Sequence, residues 1–206
     1  MSQFASRRHV LRLAAGAAAI ASTLSVPLAV HAADAPAATF IESVANRVIE
    51  LIKSTTPGPA REAAFKKVLE TDFDLNFMGR SALGTHWNGT TPEEQQRFLK
   101  AAASAEAHAY SERFGQYLGQ TLSVGRVSPR PNGVSVVDSK LNQSNGQPIS
   151  IQWEVRDEAG RPRITDVKVE GVSMVMTRRS DFNSYIQNHG GKVDALIAEL
   201  ESRAKQ

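Results

Sequence analysis

At Gly119 the apolar residues of this chain change period, and that change limits the fold more than any other feature. Upstream they recur every three to four residues, as on the buried stripe of a helix. Downstream, from Thr121 to Thr177, they alternate with polar residues, as on a sheet with one wet face. Helical spacing returns near Ser180. Helices, then a sheet, then helices predict an α+β domain with a mostly antiparallel sheet.

In the first half, Asp34 to Ala38 reads as a linker, and a helix from about Thr39 points Ile41, Val44, Ala45, Val48 and Ile52 inward until Thr55-Thr-Pro-Gly-Pro59 stops it. A second helix, from about Ala60 to Glu70, buries Ala64, Phe65, Val68 and Leu69. Asp72 is expected to cap a third helix that carries Phe73, Phe77 and Met78 and closes at Gly84, with Trp87 in the connection. Thr91-Pro92-Glu93-Glu94 is a capping box with proline at the first helical position. The long helix it starts shows Phe98, Ala102, Ala105 and Ala109 on one face. Tyr110, Phe114, Tyr117 and Leu118 thicken that stripe before Gly119, and the alanines are expected to let the helix lie close against the sheet.

The expected strands are Thr121 to Val127, Val134 to Asn142, Pro148 to Arg156, Arg163 to Glu170 and Val172 to Thr177. Asn145-Gly146 and Glu158-Ala-Gly-Arg161 supply the turns. In the third strand Ile149, Ile151, Trp153 and Val155 share one face, against Ser150, Gln152, Glu154 and Arg156. Gly171 marks a bend, after which Val172, Met174 and Met176 fall on one strand face. Ser180 is expected to cap a short helix with Phe182, Tyr185 and Ile186. Beyond Gly190-Gly191, a last helix buries Val193, Leu196, Ile197 and Leu200.

Residues 1–32 read as an export signal. Ser6-Arg7-Arg8-His9-Val10-Leu11-Arg12 has twin-arginine character, an alanine-rich apolar run follows, and Val30-His31-Ala32 offers a cleavage site. Residues 33–206 then form a single domain in the periplasm. Three of the 24 basic residues lie in the signal, so the rest of the chain balances its 21 acidic residues and gives no compositional case for nucleic acid. The absence of cysteine excludes disulfides and thiol chemistry.

Catalytic patterns are sparse. His108 and Glu112, one helical turn apart, have the spacing of a base and its orienting carboxylate, and Asp166 is a second candidate base. A solvated helix pair and a loop-bonding aspartate are the plainer readings of each. No metal or cofactor motif is present. The apolar inventory is richer: Phe73, Phe77, Met78, Trp87, Phe98, Tyr110, Phe114, Tyr117, Trp153, Val155, Val172, Met174 and Met176 are candidates to line a cavity. Arg178 and Arg179 are candidates for an anionic head group or an acidic partner.

Four blocks carry a family resemblance: Leu83-Gly84-x-x-Trp87, Thr91-Pro92 with its acid and glutamines, Tyr117-Leu-Gly-Gln-Thr121, and Asp166-Val-x-Val-Glu-Gly-Val-Ser-Met174. In this order, over about Phe40 to Leu200, the chain resembles the MlaC family of periplasmic lipid-binding proteins and the wider toluene-tolerance auxiliary proteins. The twin-arginine signal, Arg178-Arg179 and Gly190-Gly191 look closer to the hopanoid-associated HpnM branch. The resemblance implies a twisted cystatin-like sheet wrapped by helices around an apolar cavity. It also implies a non-enzymatic carrier of phospholipid or hopanoid, working between an outer-membrane lipoprotein complex and an inner-membrane ABC transporter with an MCE-domain protein. Two sixteen-carbon tails hold about thirty methylenes, and at roughly 0.8 kcal/mol each their exposure costs on the order of 24 kcal/mol, so such a carrier must cover nearly the whole tails. Gly84, Gly119 and Gly171 are candidate hinge or bend positions for the opening this requires. A small enzyme using Asp166 or His108, and a module that binds apolar peptides, are the alternative readings.

Overall fold

The computed structural model describes residues 34–114, 119–143 and 146–205. The export signal, the loop residue Asn145, and Tyr117 and Leu118 of the expected aromatic stripe lie outside the described residues. The order is α1 (Asp34–Ser54), α2 (Pro59–Asp72), α3 (Leu75–Leu83), a 3-10 segment (Gly84–Gly89), α4 (Pro92–Arg113), β1 (Thr121–Arg130), β2 (Val134–Asn142), β3 (Ile149–Glu158), β4 (Arg161–Val169), β5 (Val172–Ser173), α5 (Met174–Asn188) and α6 (Val193–Arg203). The α+β expectation is met.

The five strands form one antiparallel sheet in the order of the chain, β1-β2-β3-β4-β5. Two of the turns have both central residues at positive φ, the geometry that matches the right-handed twist of a hairpin: Asn132-Gly133 and Ala159-Gly160. In the second, Asp157 Oδ1 accepts from the Gly160 amide at 2.6 Å. Glu170 and Gly171, also at positive φ, fold β5 back onto β4. The linker between α2 and α3 covers the rest of that edge of β4, through a parallel bridge from Phe73 to Ile164 and an Asp74 N–H donated to the Ile164 carbonyl at 2.9 Å.

Three apolar clusters hold the domain. One joins α3, α4, α5 and α6 through Leu83, Trp87, Phe98, Phe182, Ile186, Leu196 and Ile197. A second sets Ile41 and Val44 of α1 on Val137, Val155 and Ile164 of the sheet. A third joins α1, α2 and α4 through Ile52, Phe65, Leu69 and Ala107. The capping box forms as expected, with Thr91 Oγ1 accepting from Glu94 N–H at 3.2 Å and Glu94 Oε2 from Thr91 N–H at 2.8 Å.

Several expectations are corrected. Helix α1 begins at Asp34 rather than near Thr39. The cap of α3 is Asp74, which accepts from Phe77 N–H at 2.9 Å; Asp72 instead ends α2, buried against Arg47 at 2.6 Å. The long helix α4 packs on α2, α6 and α3, and it is α1 that lies on β1 and β2. The alanines of α4 serve both its sides, Ala101 and Ala105 in the first cluster and Ala107 in the third, so small side chains fit it between helices. The fifth strand stops at Ser173, whose side chain accepts from Met176 N–H at 3.1 Å and starts a helix there. Met174 and Met176 are therefore helical and share no strand face, and Ser180 lies inside α5.

Candidate functional site

The register of the sheet gathers its apolar residues into rows on one face. Val127, Val137, Trp153 and Val167 lie opposite one another across β1 to β4; the next row is Val124, Ser139, Ile151, Val169 and Val172, across all five strands. A third row is Leu122, Leu141 and Ile149. No ionisable residue stands in these rows. The hydroxyl of Ser139 is satisfied locally, accepting from Trp153 Nε1 at 2.8 Å and donating to the Ile151 carbonyl at 3.2 Å.

Helix α1 covers one end of this face. Val137, Val155 and Ile164 are buried beneath it, whereas Leu141, Ile149, Ile151 and Val169 remain half-buried and Val172 is 56% exposed. The face is thus an apolar bed that runs from under α1 to the β5 edge. The opposite face is charged and self-paired: Lys168 Nζ meets Glu154 at 2.7 Å, Gln152 donates to Asp138 at 2.8 Å, and the Arg156 guanidinium lies 4.5 Å over the Phe77 ring.

The candidates from the sequence therefore divide. Trp153, Val155 and Val172 stand on the apolar face, with Phe73 at its β4 edge. Trp87 and Phe98 are buried in the helical core, where Phe98 meets Phe182 edge-on at 5.7 Å. Tyr110 stacks on Phe114, and Phe114 on Phe65, both at 5.9 Å. Burial, with the charge of Glu106 nearby, pushes the Tyr110 phenol above its ordinary value. Met78 is half-buried in α3; Phe77, on the charged side, and Met176 are exposed. Leu141, Ile151, Val167 and Val169 were not among the sequence candidates, and it is the register of β2, β3 and β4 that brings them onto the face of Trp153.

The polar candidates are engaged elsewhere. His108 Nδ1 lies 3.2 Å from Glu62 of α2, not on Glu112, because α2 packs along that side of α4. Asp166 Oδ1 accepts from the amides of Val167 at 2.8 Å and Val175 at 3.2 Å, which ties β4 to the first turn of α5. Arg178 crosses to α4 and binds both carboxylate oxygens of Glu106, with Asp181 at 3.4 Å; the bond to Glu106 raises its pKa. Arg179 has no ion pair or side-chain hydrogen bond among the described residues. No group of three metal-ligating side chains is present among the described residues.

The MlaC protein family profile matches residues 42–202. The chain belongs to the MlaC family. It is 22% identical over 137 residues to the intermembrane phospholipid transport system binding protein MlaC of Haemophilus influenzae, a match covering 65% of this chain and 63% of that one. It is also 22% identical over 147 residues to the toluene tolerance protein ttg2D of Pseudomonas putida, covering 69% and 68%. The chain thus spans less than two thirds of the Haemophilus relative. A phospholipid-binding protein from Ralstonia solanacearum, solved in complex with a phospholipid, shares the fold with a TM-score of 0.68 at 21% identity, over 84% of this chain and 97% of that one.

Proposed function

We propose that this MlaC-family chain is a phospholipid carrier whose acyl chains lie on the apolar face of the sheet. The observation that carries the reading is the row Val124, Ser139, Ile151, Val169 and Val172, free of charge, with α1 packed at its β1–β2 end and Val172 exposed at the other. Leaving such a strip in water is unfavourable by about 25 cal/mol for each Å² of apolar surface, and hydrocarbon laid along it removes that cost for both surfaces. Burying two full tails requires more cover than the strip alone, so α1 must move relative to β1 and β2 to admit them. The names of the Haemophilus and Ralstonia relatives support phospholipid as the ligand class.

The carrier acts by binding and release, without a covalent step. The two candidate bases support this, since Asp166 already accepts two backbone amides and His108 faces a carboxylate on another helix. We place the protein in the periplasm, between an outer-membrane lipoprotein complex and an inner-membrane MCE-domain ABC transporter. No helix among the described residues is long and apolar enough to cross a membrane.

Native mass spectrometry of the purified chain tests the reading. Phospholipid retained at one molecule per chain supports it, and a hopanoid would redirect it to terpenoid cargo. A chain that stays empty after exposure to phospholipid vesicles overturns it.

A further inference from the structure

Arg178 and Arg179 are consecutive and have opposite surroundings. Arg178 is held by Glu106 and Asp181. Arg179 lies across Gly84, so close that a methyl group there would sit 2.8 Å from its Nε and 3.1 Å from its Cζ. Gly84 is at φ 60, where a side chain is strained, so the backbone itself favours glycine there, and the bare Cα leaves room for the Arg179 side chain to lie over it. The Leu83-Gly84-x-x-Trp87 block and the segment after Glu170-Gly-Val-Ser-Met174 thus meet in space, and the Arg179 guanidinium, without a charged partner among the described residues, lies against their meeting point.

That guanidinium borders a groove of about 340 Å³ between the end of α3, the 3-10 segment and α5. Thr85 and Ser180 bring hydroxyls to it, Asn183 an amide and His86 an imidazole, whose Nε2 is 3.0 Å from Asn183 Oδ1. Among the described residues no carboxylate lines it, and Met176 forms an apolar wall beside the polar groups. A guanidinium presents its donors as a planar fork suited to two oxygens of one anion. Hydroxyl and amide donors around it suit an anion with further acceptor oxygens to satisfy. The groove is too small to seat a protein face.

We propose that this groove is a binding site for a phosphate group, free or esterified, with Arg179 as its principal ligand and Gly84 as the residue that leaves room for Arg179 beside it. The lipid source of that phosphate rests on the carrier reading; the anion site does not.

The test is an NMR titration of the purified full chain, following the Arg179 Nε–Hε signal and, in every variant, the backbone amides of Thr85 and Ser180 in the groove, with inorganic phosphate in one arm and dihexanoylphosphatidylglycerol below its micellar concentration in the other. A saturable shift in both arms supports a site for phosphate of either source, and a shift with the lipid alone supports a head-group site. Arg179→Gln should weaken binding by about tenfold or more, the loss of a charge-assisted pair. Gly84→Ala should displace the Arg179 signal before any ligand is added, and Arg161→Gln, which removes a charge on the β3–β4 turn, should bind as the parent does. No shift with either probe overturns the proposal, as does a loss in Arg161→Gln equal to that in Arg179→Gln. Lipid retained in the mass spectrum while Arg179 stays silent sinks the groove and leaves the carrier standing. Phosphate binding by a chain that retains no lipid does the reverse.

Discussion

The guanidinium of Arg61 donates to the backbone carbonyl of Phe114 at 3.1 Å, joining the first turn of α2 to the end of α4 across 53 residues. The same side chain donates to the Ile52 carbonyl at 2.9 Å, to the Thr55 hydroxyl at 3.1 Å and to the Thr55 carbonyl. It is 2% exposed. A buried cation is tolerated here because its partners include carbonyls at and just beyond the C-terminal end of α1, which carry partial negative charge and have no helical donor. Arg61→Ala leaves those acceptors unpaired and opens a hole, and is expected to lower the unfolding free energy by about 3 kcal/mol. Arg61→Lys keeps the charge and loses the fork, so it should recover only part of this in urea unfolding.

At the start of α4, Thr91→Ala removes the hydroxyl that accepts from Glu94 N–H. The expected loss is about 1 kcal/mol, with the urea m-value unchanged, since the cap is exposed.

Ile151→Asp places a carboxylate in the middle of the five-residue row on the sheet. The site is half-buried, so the chain should still fold with an unchanged circular dichroism spectrum. Retained phospholipid should fall by roughly tenfold or more, because seating hydrocarbon on an unpaired charge costs more than the about 1.4 kcal/mol of a tenfold change. The same substitution at Gln152, on the opposite face, should leave retention unaltered. Equal retention in both variants would remove the sheet face from the site.

Tyr110 gives a pH dependence with a definite sign. Its phenol is raised above the ordinary 10.0, chiefly by burial, so the folded chain holds the proton more tightly than the unfolded chain does. This group contributes no pH dependence well below 10.0, and its contribution to stability declines as pH rises through that value toward the folded one. Urea midpoints measured between pH 8.5 and pH 11 should therefore drop more for the parent than for Tyr110→Phe, which cannot ionise.

Which parts of this were legible in the sequence follows from the range of the interactions involved. The alternation of β3 already put Ile149, Ile151, Trp153 and Val155 on one face, and the Thr91 capping box is a four-residue signal, so both could be read locally. The start of α5 could not be, because Val172, Met174 and Met176 satisfy a strand period until Ser173 captures the Met176 amide and Asp166 that of Val175. His108 was paired with Glu112 by spacing, but its partner Glu62 lies 46 residues away. Reading α4 as the cover of the sheet failed for the same reason, since a run of alanines reports close packing without naming the neighbour. The bed itself needed the register: Val169 and Val172 join Ile151 only when three strands are aligned.

The strand order repeats the chain order, so each β strand pairs only with the one made just before or just after it. Such a sheet zips up from nearest neighbours, at little cost in loop closure, whereas docking α1 on β1 and β2 brings together segments separated by α2, α3 and α4. The floor is wired locally and the roof remotely. Parting the two would break no strand pairing, so the opening that the carrier reading requires would leave the base in its shape, as a hinged case does.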